Sequence, residues 1–120
     1  MKNQIMKRTK VFALDCWKFC FKIPKSREYN AYVNQLIRSS SSVGANYRAS
    51  QRAKSTADFI NKLKIVEEET DESIYWLEIF EEVIPEYQKE ILKLKKEGSE
   101  LLAIMVASIN TAKKNQNKKY

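Results

Sequence analysis

Three sets of residues in this chain carry chemistry that a fold could use. Gln35, Arg38, Ser42 and Asn46 fall on one strip at helical spacing, and Glu68, Glu69, Glu72 and Trp76 make a second strip further on. Arg48, Arg52, Lys54, Lys62 and Lys64 crowd around the stretch that joins the two strips. Cys16 and Cys20 stand four apart. An arginine held against carboxylates makes charge-assisted hydrogen bonds, which can fix helix register, form a binding groove or meet a second subunit. Clustered lysines and arginines take up phosphates without reading base sequence, and their binding weakens steeply with salt.

Catalytic chemistry is poorly supplied. Glu68, Glu69 and Glu72 have no histidine to work with, since the chain contains none, and the cysteines lie far away in sequence. Neither an acid–base pair nor an activated nucleophile can be assembled from these parts. No glycine-rich phosphate loop is present. Two thiols four apart on a helix are badly placed for a disulfide, and a metal would need ligands from elsewhere. They read as reduced core thiols of a cytoplasmic protein. The expectation is a non-enzyme with no cofactor and no metal.

These residues need long helices to position them. With 2 Gly and 2 Pro in 120 residues, and no strand-like alternation, the composition favours an all-α chain forming one domain. Thr9 to Lys22 repeats Phe12, Cys16 and Phe19 at helical spacing, with further aromatic groups on other sides, so this helix is expected to touch more than one neighbour. Pro24 ends it, and Ser26 or Asn30 can cap the next. The spacing predicts helices over residues 9–22, 31–53, 56–83 and 86–114, with a frayed basic arm before them and a disordered tail NQNKKY after. Short connections between four helices give an antiparallel up-down-up-down bundle.

The central hairpin organises the rest. Ser39 to Ser42 and Gly44 are weak helix formers, yet the apolar period of Leu36, Val43 and Tyr47 runs through them, as expected where a neighbouring backbone comes close. Ser55, with Asp58 three positions on, is a capping signal for the third helix. With the turn centred there, residues facing each other have numbers summing to about 110. Arg38 is then level with Glu72, Ser42 with Glu68, and Asn46 with Lys64.

Charge is distributed unevenly. Lys2, Lys7, Arg8 and Lys10 lie at one end of the chain and Lys113, Lys114, Lys118 and Lys119 at the other, which leaves 14 basic and 15 acidic residues between them. Within that body, Lys25 to Lys64 holds 8 basic and 2 acidic residues, and Ile65 to Glu86 holds 9 acidic and no basic ones. Such polarity suits a polyanion or a neighbouring subunit. Tyr47 and Tyr120 are candidate stacking surfaces, although Tyr47 also falls on the core stripe. The run Val11–Ile23 is broken by Asp15, Lys18 and Lys22, so no membrane span is predicted.

The segments Gln35-Leu36-Ile37-Arg38, Ser42-Val43-Gly44-Ala45-Asn46, Phe59…Leu63 and Glu68…Glu72…Trp76-Leu77 resemble a known bacterial family. These are the four-helix-bundle proteins encoded in intervening sequences of 23S ribosomal RNA genes, a fold similar to the accessory variability protein of diversity-generating retroelements. Where many members continue with hydrophobic-Ala-Glu-Gly, this chain has Tyr47-Arg48-Ala49-Ser50, which predicts a longer second helix. The resemblance implies a homopentamer arranged as a barrel around a central channel. Retroelement members bind a reverse transcriptase and nucleic acid, while most intervening-sequence members have no established activity. Trp17, Phe21, Tyr75, Trp76, Ile79 and Val106 exceed what one four-helix core can hide, which fits a ring-like oligomer. The reading is a non-enzymatic oligomeric bundle that binds RNA or DNA weakly through Arg48, Arg52, Lys54, Lys62 and Lys64. The alternative is an adaptor that docks a partner protein by its polar or acidic helix face.

Overall fold

The computed structural model describes the backbone of residues 2–118 and the side chains of residues 2–117. Four α-helices, with no strand among the described residues, follow one another: α1 (Lys2–Lys22), α2 (Arg27–Ser50), α3 (Thr56–Val83) and α4 (Gln88–Lys118), with a 3-10 turn at Pro85–Tyr87 before the last. Each helix packs on its neighbour in sequence, and α1 meets α4 more loosely to close the ring of four. The short connections make neighbours antiparallel, and the molecule measures 54 × 22 × 21 Å.

Four boundaries differ from the sequence expectation. The basic arm is helical, because Ile5 extends the stripe of Thr9, Phe12, Cys16 and Phe19 one turn back and is itself buried. Ser26, not Asn30, caps α2: it is extended and its hydroxyl accepts from the Tyr29 amide at 3.0 Å, so the helix begins at Arg27. That helix stops at Ser50 rather than continuing, since Arg52 and Ala53 donate to the carbonyls three residues back while the chain turns towards the extended Ser55. Asn115–Lys118, expected to be unstructured, continue α4. Lys119 and the stacking surface expected at Tyr120 lie outside the described residues.

Ser55 caps α3 by accepting from the Asp58 amide at 3.0 Å, and the Asp58 carboxylate accepts from the Lys54 amide at 3.0 Å. The core is a single column in which Leu36, Val43, Leu63, Val66, Leu77, Phe80, Ile91, Leu101 and Met105 are fully buried. Phe19 stands edge-on to Phe80 at 5.6 Å and to Tyr87 at 6.1 Å, which fills the end where α1 finishes.

Small residues sit where helices come closest. Ser39 to Ser42 are helical, and the Ser39 and Ser40 hydroxyls donate back to the Leu36 and Ile37 carbonyls. Across the α2–α3 contact, the buried Ser39 and Ser73 hydroxyls lie 2.8 Å apart. On the other side of α2, a Cβ at Gly44 would lie 3.3 Å from Thr9 Oγ1 and 3.4 Å from the Thr9 carbonyl carbon, so α1 and α2 nearly touch there.

This tight crossing makes Ser39 intolerant of bulk. Ser39→Leu is expected to destabilise by about 1–3 kcal/mol in urea unfolding, with the m-value unchanged. Ser41→Ala, on the exposed side of the same run, is expected to stay within about 0.5 kcal/mol of the parent.

Candidate nucleic-acid interface and polar seam

The α2–α3 seam is built around Arg38. Its Nη1 donates to Glu69 Oε2 at 2.8 Å and its Nη2 to Glu72 Oε2, which also accepts from Trp76 Nε1 at 3.0 Å. The Glu69 side chain is 15% exposed and Glu72 33%, against 51% for Arg38, so the carboxylates are the more enclosed partners. The Trp76 hydrogen bond, aided by the one from Arg38, holds the Glu72 carboxyl below its ordinary value, and burial opposes them. The hydrogen bonds that Arg38 donates to Glu72 and Glu69 raise its guanidinium above the ordinary value. Trp76 is itself packed against Tyr32 at 5.7 Å and edge-on to Tyr75 at 5.0 Å.

The remainder of the expected strip does not join this cluster. Gln35 and Glu68 are exposed, and Glu68 makes no ion pair among the described residues. Asn46 does not reach Lys64: its amide donates within α2 to the Ser42 carbonyl at 2.9 Å and the Ser42 hydroxyl at 2.7 Å. The reason for Glu68 is angular: residues 69, 72 and 76 share the side of α3 that faces α2, and 68 lies beyond the outer edge of that side, about 40° past Glu72 and about 100° from Glu69. The Ser39–Ser73 contact in this seam was missed by the sequence reading. Its signal was two small polar residues on stripes otherwise apolar.

The basic residues come together on a larger scale than the hairpin suggested. Antiparallel packing brings the start of α1, the α2–α3 turn and the end of α4 to one pole of the long axis. Residues 2–10 hold four basic side chains, 45–64 five, and 102–117 two, with Asp58 the single acid among them. Residues 11–44 and 65–101 hold nine basic and fourteen acidic side chains, which leaves the other half negative. Arg48, Arg52, Lys54 and Lys64 are exposed and form no ion pair among the described residues. Lys62 differs, being half-buried with its ammonium 2.7 Å from Asp58, the residue that helps cap α3. Arg8 is likewise neutralised, by Glu97 at 2.6 Å and Glu100 at 3.1 Å. Tyr47 is buried, and that burial pushes its phenol up; it serves the core rather than a stacking surface.

Cys16 and Cys20 are free and buried, and desolvation pushes the Cys20 thiol up to about 12 and Cys16 further still. Thiols held so firmly protonated are weak nucleophiles. Among the described residues no three His, Cys, Asp or Glu side chains gather as metal ligands, and no helix is long and apolar enough to cross a membrane.

The chain belongs to the 23S rRNA-intervening sequence protein family, whose model matches residues 1–107. A crystal structure of a protein with unknown function, from the S23 ribosomal protein family of Bacteroides thetaiotaomicron VPI-5482, is similar to this chain. Its TM-score is 0.84 at 28% sequence identity, over 92% of this chain and 99% of that one. No curated protein matches the chain. Neither description names a catalytic activity.

Because Glu72 has a lowered pKa in the fold, its contribution to stability is complete above the ordinary value of 4.5 and is lost as pH falls through the lower folded value. Trp76 reports this directly. In a Trp17→Phe background, its fluorescence is expected to change below pH 4.5, before global unfolding. Glu72→Gln is expected to remove that step.

Proposed function

We propose that this chain is a non-enzymatic helical scaffold that self-associates and binds RNA, without sequence preference, through its basic pole. The observation that carries this reading is the convergence of the start of α1, the α2–α3 turn and the end of α4, which gathers eleven basic side chains, of which only Arg8 and Lys62 pair with acids among the described residues. Arg48, Arg52, Lys54 and Lys64 are exposed there and form no ion pair among the described residues, so phosphates that bind them displace water and counterions. DNA is expected to bind by the same contacts.

Self-association is supported by a second apolar face on α1. Val11, Leu14, Trp17 and Phe21 point away from the core at spacings of three and four and are 41% to 78% exposed, with the Trp17 and Phe21 rings tilted against each other at 5.6 Å. A patch of that kind marks an interface more often than a free surface. An adaptor role has narrower support in Ile65 and Tyr75, exposed on α3 among Glu68, Asp71 and Glu78.

Filter retention of a structured RNA is expected at low salt and to fall steeply as salt rises. Arg48→Glu/Arg52→Glu/Lys54→Glu is expected to abolish it, and Arg52→Gln alone to reduce the slope of log affinity against log salt by about one. No retention at low salt would remove the RNA reading in favour of a protein partner.

In light scattering the mass is expected well above 14.1 kDa, with Trp17→Glu/Phe21→Glu returning it to that value. Both side chains are more than half exposed, so the change should leave the helical circular dichroism intact.

A further inference from the structure

A groove of about 510 Å³ runs between α1 and α2. Its floor is Thr9 and Gly44, where the two backbones nearly touch, with the exposed Ala45 at its edge, and Lys7 and Lys10 line the α1 side and Arg48 the α2 side. No aspartate or glutamate lines it, and none of the three cations forms an ion pair among the described residues. Arg8, the neighbour of Lys7, is turned to α4 and satisfied by two glutamates. One side of α1 is thus neutralised within the protein, while the other leaves like charges on both sides of a cleft.

We infer that this groove seats the phosphate backbone of a single RNA strand, with Lys7, Lys10 and Arg48 as its phosphate contacts. The inference rests on the basic pole being an RNA-binding surface and adds where the strand lies and which form is preferred. Three charges of one sign around a shared hollow repel each other, and a chain of phosphates relieves that repulsion. A floor formed by two helices in contact is too narrow for a duplex, which can only rest on the rim. A single strand can enter and place its sugars against Ala45 and Gly44. The groove has no aromatic lining on which bases could stack, so no base preference is expected.

The test uses the full chain with a fluorescent oligouridine of about 12 nucleotides and an RNA duplex of similar length, at about 50 and 200 mM salt. Ala45→Trp fills the groove and keeps every charge; Lys7→Gln/Lys10→Gln removes two exposed charges and leaves the hollow open. Ala45→Trp is expected to weaken oligouridine binding on the order of tenfold and leave duplex binding within about twofold. The double lysine change is expected to lower the salt slope for oligouridine by about 1.4. If neither variant alters oligouridine affinity while Arg52→Glu/Lys54→Glu abolishes it, the pole binds RNA and the groove assignment is wrong. Equal weakening of strand and duplex also overturns it, as does a change in the light-scattering mass in place of a change in affinity, which would give the groove to a neighbouring copy. Should the parent chain bind no RNA at all, the function proposed above fails along with it.

Discussion

The fold depends on how closely α2 can approach its neighbours. Ser39 meets Ser73 on one side, and on the other a Cβ at Gly44 would sit 3.3 Å from Thr9 Oγ1, tighter than ordinary van der Waals contact. Serine and glycine are poor helix formers, costing up to about 1 kcal/mol each relative to alanine. Their presence inside a continuous helix is explained by packing, since interiors at crystal-like density gain dispersion contacts from every ångström of approach. Gly98 follows the same logic on α4, where an added Cβ would lie 3.1 Å from Ile74 Cγ1.

That approach sets the register, and the register sets the electrostatics. With Ser39 level with Ser73, the guanidinium of Arg38 is presented to Glu69 and Glu72 one turn apart on α3, and Trp76 completes the second carboxylate's shell. The cluster is half enclosed, so it is better regarded as a device that rejects shifted pairings than as a large source of stability. The same alignment brings the helix ends level with one another, and for this reason lysines far apart in sequence share one pole.

How much of this the sequence disclosed depends on the kind of signal. Apolar periodicity is dense in α3 and α4, and the Ser55–Asp58 cap is local, so the central helix is readable residue by residue. The Arg38–Glu72 pairing follows from the turn position alone. Charged ends mislead: the stretch before Thr9 reads as a solvated arm, because a single Ile5 carries the stripe through that turn. The basic pole was hidden for a different reason. Its members are separated by up to a hundred residues or more, and only the antiparallel topology shows that the start of α1, the end of α4 and the hairpin turn share one pole. The pairing of Lys62 with Asp58 was equally hard to weigh, since i,i+4 pairs are common and only burial shows that this one is spent on the cap.

The separation of charge along the long axis bears on how self-association and RNA binding would fit together. Screening at physiological salt reaches only about 8 Å, while the molecule is 54 Å long, so apart from the Arg8 pairs with Glu97 and Glu100 the acidic half leaves the charge of the basic pole to solvent ions or to a partner. The exposed apolar stripe of Val11, Leu14, Trp17 and Phe21 runs along the side of α1, not across an end, so contact through it sets copies side by side. Under cyclic symmetry every copy then points the same way, and all the basic poles lie on one rim. A rim of that kind binds a polyanion multivalently, so weak contacts at each protomer add to a useful affinity without any one of them reading sequence. Side-by-side pairing in opposite directions would set each basic pole against a neighbour's acidic half and cancel it. In the proposed assembly the polarity of that contact would therefore decide whether the charge is available to RNA or consumed between copies.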